Sequence, residues 1–118
     1  MATYRELLAQ VKEEIDEIST IEAQERLESS ESPLFVDVRE PDEWEEGHIA
    51  GARHIPMREV TGRAGELPAD RPIALVCRGG PRSSTVGSLL LARGFSRLID
   101  VWGGMTGWEQ AGLPLAED

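Results

Sequence analysis

A second cysteine is missing from the 118-residue sequence, which leaves Cys77 alone. No disulfide can form within the chain, and a reducing cytoplasmic setting is the simplest expectation. No apolar run approaches the roughly 20 residues that cross a bilayer. The start, Met1-Ala2-Thr3-Tyr4-Arg5-Glu6, also lacks the basic residues and apolar stretch of a secretion signal, so no membrane partner is expected. Positive charge is scarce too: 12 Lys and Arg stand against 22 Asp and Glu, a formal net charge of −10. A surface that repels phosphate gains no affinity from counterion release, and nucleic acid is not an expected partner. With one Cys and two widely spaced His residues, no convincing metal site can be assembled. The length fits a single domain over residues 1–118.

One stretch lacks acid altogether. Between Asp70 and Asp100 there is no Asp or Glu, yet Arg71, Arg78, Arg82, Arg93 and Arg97 fall there, so this segment carries +5 and the rest of the chain −15. Arg71, Arg93 and Arg97 read as solvated surface. Arg78 and Arg82 flank Cys77 within its own loop and make a cationic island suited to a small anionic substrate.

Cys77 follows the apolar run Ile73-Ala74-Leu75-Val76, a buried strand, and precedes a helix that Ser83 or Ser84 can cap and that runs to Arg93. A strand-end cysteine is usually inert packing. Here the Gly79-Gly80 pair, the two arginines and the helix start point instead to a stabilised thiolate.

The rest of the chain reads as alternating strands and helices. Thr3-x-x-Glu6 has capping-box spacing, and Tyr4, Leu7, Leu8, Val11 and Ile15 recur at helical intervals, predicting an amphipathic helix to about residue 14. Ser19-x-x-Glu22 predicts a second short helix, ended by Ser29-Ser30-Glu31-Ser32-Pro33. Leu34 to Val38 reads as a buried strand whose Asp37 needs a partner, with Arg39 the nearest candidate. Glu43 to Glu46 suggests a helical turn, Arg53-His54-Ile55 a short extended piece, and 57–72 an irregular connection that could hold a weak helical turn. Gly94 stops the Cys77-proximal helix, Leu98 to Val101 is another strand, and Gly103-Gly104 turns into a last helix through Trp108. The expected class is α/β: a small parallel β-sheet flanked by helices on both faces, with an extra N-terminal helix. In such sheets ligands sit at the carboxyl ends of strands, where Cys77 lies.

Three segments resemble the rhodanese-like sulfurtransferases. They are Asp37-Val38-Arg39-Glu40-Pro41 continuing through Glu43-Trp44, Gly47-His48-Ile49, Gly51-Ala52 and Ile55-Pro56; the loop Cys77-x-x-Gly80-x-Arg82-Ser83; and Gly103-Gly104-x-x-x-x-Trp108 with Ala111-Gly112-Leu113-Pro114. They span a motif-bearing core of residues 34–114. The resemblance implies transfer of a sulfane sulfur from thiosulfate or a similar small anionic donor to cyanide or a thiol, including a protein thiol, through a persulfide on Cys77. It implies no metal or organic cofactor. Arg78, Gly79, Gly80, Arg82 and Ser83 would bind substrate, with Arg78 best placed to meet the anion. Arg82 would either contact substrate or brace the loop, pairing with an acid such as Asp37. Asp37 and Arg39 would be structural, as would His48, while Trp102 or Trp108 could wall the pocket. Pro81 departs from an all-donor loop because it has no N–H. Other readings are a persulfide relay or docking module for one protein partner, a sulfenic-acid sensor, and a phosphatase or arsenate reductase. The last has five residues between Cys and Arg, against four here.

Overall fold

The computed structural model describes residues 15–79 and 82–117. The expected N-terminal helix lies outside the described residues, as do Gly80 and Pro81.

Five parallel strands, β1 (Ile15–Ile18), β2 (Leu34–Asp37), β3 (Arg53–His54), β4 (Ile73–Val76) and β5 (Leu98–Val101), form one sheet in the order β1-β5-β4-β2-β3. The chain moves outward from β2 to β3, then returns to β4 and continues the other way to β5. The topological switch point therefore falls between the carboxyl ends of β2 and β4, the crevice where open α/β sheets bind ligands. Asp37 ends one of these strands and Cys77 follows the other.

Alternation along the strands divides the core into two layers. Ile73, Leu75 and Leu98 pack with Val60 of α3 (Val60–Arg63) and with Val86 and Leu90 of α4 (Arg82–Ala92). Ala74, Val76, Ile99 and Val101 pack on the other face, with Ala23 of α1 (Thr20–Leu27) and with Met105 and Trp108 of α5 (Gly104–Gln110). All four β4 residues are buried. Each fully buried aliphatic side chain is worth about 1.5–3 kcal/mol over exposure, so the strand that delivers Cys77 is firmly anchored despite its length. Gly87 lets α4 lie close to the sheet: a Cβ there would stand 2.5 Å from Ile15 Cδ1.

Ser19 caps α1, its hydroxyl accepting from the Glu22 N–H at 3.1 Å, as its spacing predicts. Two expectations need correction. Ile15 is the first residue of an edge strand, not the last apolar position of a helix. Ile15 and Ile18, three apart, point to opposite faces of the sheet and each joins one core layer, a spacing that imitates a helical stripe. Residues 57–66 are also more ordered than an irregular connection. A 3₁₀ turn (Met57–Glu59), α3 and a second 3₁₀ turn (Ala64–Glu66) follow one another. Val60, Ala64 and Leu67 bury one side at helical spacing while Gly62 and Gly65 face open space.

At the end of β2, Arg39 closes a fork on Asp37. Its Nε lies 3.0 Å from both carboxylate oxygens, a terminal nitrogen donates at 2.8 Å, and the Arg39 N–H adds another bond at 3.0 Å. The same terminal nitrogen reaches the Gly47 carbonyl at 2.9 Å. Both side chains are buried, so removing the cation would strand a charged carboxylate. Arg39→Ala is expected to lower the unfolding free energy by about 3–5 kcal/mol in a denaturant titration. A loss below about 1 kcal/mol would show that the fork does not hold the crevice.

Candidate functional site

Cys77 leaves β4 and turns at once over the start of α5. The Met105 N–H donates to the Cys77 carbonyl and the Thr106 N–H to the Arg78 carbonyl, both at 2.8 Å. The first N–H groups of a helix have no partner within it, and here they hold the loop. This needs backbone against backbone. A Cβ at Gly104, whose φ is +53°, would stand 2.3 Å from the Cys77 carbonyl oxygen and 2.8 Å from the Arg78 carbonyl carbon. No side chain fits there.

Cys77 is buried, 1% exposed, and does not itself line the cavity of about 750 Å³ that its neighbours Arg78 and Gly79 border. Arg78, Gly79, Arg82, Thr106, Thr20 and Trp102 contribute to the cavity wall. Trp102 is 70% exposed, whereas Trp108 is core and donates its indole N–H to the Pro114 carbonyl at 2.8 Å. Of the two that could wall the cavity, Trp102 does and Trp108 does not.

The two loop arginines do not stand alone as a cationic island. α2 (Pro41–Glu45) brings Glu43 across to them. Arg82 donates to both Glu43 oxygens, at 2.7 and 3.0 Å, Arg78 Nε donates at 3.0 Å, and the Glu40 N–H supplies a fourth bond at 3.0 Å. Glu46 lies 3.6 Å from a terminal nitrogen of Arg78. The acid-free stretch of sequence is thus neutralised from a segment about forty residues earlier. The acid that Arg82 pairs with is Glu43 and not Asp37, the one named from sequence, which is already taken by Arg39. The Arg82 hydrogen bonds, chiefly, hold the Glu43 carboxyl down at about 2, with the Glu40 N–H and Arg78 assisting and burial opposing. The same bonds raise the pKa of both arginines.

Ser83 and Ser84 lie inside the first turn of α4, which starts at Arg82, so neither is its cap. Their hydroxyls turn to the sheet instead. Ser83 Oγ donates to Asp100 Oδ1 at 2.6 Å, Ser84 Oγ donates to Asp100 Oδ2 at 3.3 Å, and Cys77 Sγ donates to Ser83 Oγ at 3.5 Å. Ser83 is therefore in contact with the sulfur, buried, and does not line the cavity.

Residues 19–111 match the family model of the rhodanese-like domain. The chain belongs to that family. It is 35% identical over 101 residues to a protein named sulfurtransferase from Allochromatium vinosum, an alignment covering 86% of this chain and 94% of the relative. It is 40% identical over 96 residues to a putative sulfurtransferase of Bacillus subtilis, covering 81% and 92%. A solved rhodanese-related protein from Thermoplasma volcanium matches with a TM-score of 0.78 at 28% identity, over 87% of this chain and 99% of that one.

Within this rhodanese-like domain, His48 is buried and its Nδ1 lies 3.0 Å from the Trp44 carbonyl. Trp44 stacks with His48, centroid distance 3.4 Å, and with His54, 4.8 Å. These rings pack the segment that presents Glu43. Sequence reasoning missed two members of the site. Glu43 was legible as part of a helical turn and of a resemblance-bearing segment but not as the partner of Arg78 and Arg82, because nothing local reveals a partner 35 and 39 residues away. Asp100 carried the same signal as Asp37, a lone carboxylate in an apolar strand, and could have been flagged on that ground. Among the described residues no cluster of three His, Cys, Asp or Glu could hold a metal ion.

Two outcomes follow from this geometry. Gly104→Ala is expected to cost about 3 kcal/mol or more, since left-handed strain and a backbone clash add, whereas Gly112→Ala, left-handed but in open space, should cost about 1–2 kcal/mol. Equal denaturant midpoints for the two variants would rule out the close approach. Carbon-13 titration should place Glu43 near 2 in the wild type and higher in Arg82→Ala. Because its folded value is depressed, the stability it contributes is complete above the ordinary carboxyl value of 4.5 and is lost as pH falls towards 2. An ordinary midpoint for Glu43 in the wild type would remove the four-bond tie.

Proposed function

We propose that this protein is a sulfurtransferase that carries a sulfane sulfur on Cys77. The observation that supports this reading best is the placement of a lone thiol at the strand end beside the topological switch point, next in the chain to a cavity walled by Arg78 and Arg82. Four residues separate Cys77 from Arg82. That loop is one residue shorter than the phosphatase-like spacing, which favours sulfur over a tetrahedral oxyanion.

The chemistry is a double displacement. The Cys77 thiolate attacks the outer sulfur of thiosulfate, the S–S bond of the donor breaks, and sulfite leaves with the bonding pair. A persulfide anion remains on Cys77, and charge is conserved. Cyanide or a thiolate acceptor then attacks the terminal sulfur, forming thiocyanate or a new persulfide and returning the Cys77 thiolate. No organic cofactor enters either step. The backbone N–H groups of Arg78 and Gly79, which follow the sulfur directly, would meet the terminal sulfur.

The arginines divide the work. Arg82 makes a bidentate, partly buried fork on Glu43 and stays with it. Arg78 holds Glu43 by one N–H, is 55% exposed, and exchanges that weak surface contact for a thiosulfate oxygen.

Mass spectrometry after thiosulfate treatment is expected to show one added sulfur atom on the wild type and none on Cys77→Ala, with cyanide restoring the original mass. No adduct from thiosulfate or any other sulfane donor would sink the reading. Arg78→Ala should raise KM for thiosulfate about tenfold or more while leaving stability within about 0.5 kcal/mol of wild type. An unchanged KM would return donor recognition to other groups.

A further inference from the structure

We propose that Asp100 is a positioning residue for Cys77, acting through Ser83 to withhold a hydrogen bond from the thiolate and so keep the thiol from ionising prematurely. This deepens the sulfur-carrier reading and rests on it. The chain of contacts is Cys77 Sγ to Ser83 Oγ at 3.5 Å and Ser83 Oγ to Asp100 Oδ1 at 2.6 Å, with all three side chains buried.

A serine hydroxyl has a single proton. At 2.6 Å from a carboxylate oxygen, that proton is committed to Asp100, because a charge-assisted O–H···O⁻ bond is much stronger than any bond to sulfur. What Ser83 turns towards Cys77 is therefore a lone pair. A lone pair accepts from S–H and repels S⁻. The buried negative charge of Asp100 acts in the same sense, since a like charge nearby disfavours the ionised thiol. A direct relay, moving the thiol proton through Ser83 to Asp100, is the weaker alternative. An ordinary thiol and an ordinary carboxyl differ by about four to five pH units, which sets that transfer back by a factor of roughly 10⁴–10⁵. Asp100 thus orients and restrains rather than receiving the proton.

The charged groups around the sulfur oppose one another from different elements. From β5 comes Asp100, beneath the thiol. From the loop and α4 come Arg78 and Arg82, and the positive charge of Arg82 is felt at Cys77. From α2 comes Glu43, which engages both arginines. From β2 comes the closed Asp37–Arg39 pair. The cations thus stand on the cavity side of Cys77 and the Asp100 carboxyl on the core side.

Ser84 provides an internal control. It bonds the other Asp100 oxygen, at 3.3 Å, and would support the carboxylate without addressing the sulfur. The single cysteine makes the measurement direct: thiolate absorbance in the ultraviolet, taken as the difference between each variant and its Cys77→Ala counterpart, is followed against pH. Asp100→Asn keeps the shape, removes the charge and releases the Ser83 proton. Its titration is expected to move to lower pH by about one unit, a tenfold change in the thiolate to thiol ratio. Ser83→Ala is expected to move the same way, and Ser84→Ala to leave the curve where it is. An unchanged curve in Asp100→Asn, or a shift of Ser83→Ala to higher pH, would overturn the proposal, the latter by showing that Ser83 donates to the thiolate. The Ser83→Ala arm decides the matter if Asp100→Asn fails to fold. Because absorbance reports ionisation and needs no sulfur donor, its failure is distinct from an absent persulfide, which would count against the sulfur-carrier reading alone.

Discussion

The parallel ladder between β4 and β5 is the constraint on which the site depends. Leu75 pairs with Asp100, and the chain leaving β5 passes directly into Gly103-Gly104 and α5. The one register therefore sets two things together. It brings the N-terminal N–H groups of α5 under the Cys77 and Arg78 carbonyls, and it turns the Asp100 side chain to the face where Ser83 and Cys77 lie. A slip of one residue would reverse both, because successive strand residues face opposite ways. The absent side chain at Gly104 is what lets this register close on the loop.

Much of the architecture was legible because its signals are local. β2, β4 and β5 announce themselves as short apolar, β-branched runs, and the helix caps and glycine stops mark the pieces between them. Asp37 and Arg39 are two residues apart, so their pairing could be named from sequence. Two of the misses share one cause, which is distance along the chain. β1 is an edge strand with only two buried residues, and its identity comes from Leu98 to Val101, more than eighty residues later. The Glu43 tie spans 35 and 39 residues to its arginines. A charge count within a segment cannot register such a partner, which is why the loop looked cationic in sequence and is matched by acid in the fold. Ser83 and Ser84 illustrate a competition instead. Both have the chemistry of a helix cap, yet Asp100 offers a buried charged acceptor, and a charge-assisted bond outweighs a neutral one to backbone N–H.

Three carboxylates surround the crevice, and their partners differ in kind. Asp37 is closed by a fully buried guanidinium, so it is fixed and structural. Glu43 is held by two guanidinium groups and a backbone N–H at the edge of the cavity, where one of its cations is exposed and exchangeable. Asp100 is different. Among the described residues its side-chain partners are two serine hydroxyls and no cation. Burying a carboxylate without a counter-charge is the costly arrangement of the three, since hydroxyl bonds satisfy its lone pairs but leave its charge uncompensated. An apolar residue at that strand position would pack as Ile73 and Leu75 do and avoid the cost. The position that carries the uncompensated charge is also the one joined, through a single hydroxyl, to the only sulfur atom on a cysteine in the chain. Stability alone gives no reason for a carboxylate there, and the electrostatic restraint on Cys77 supplies one.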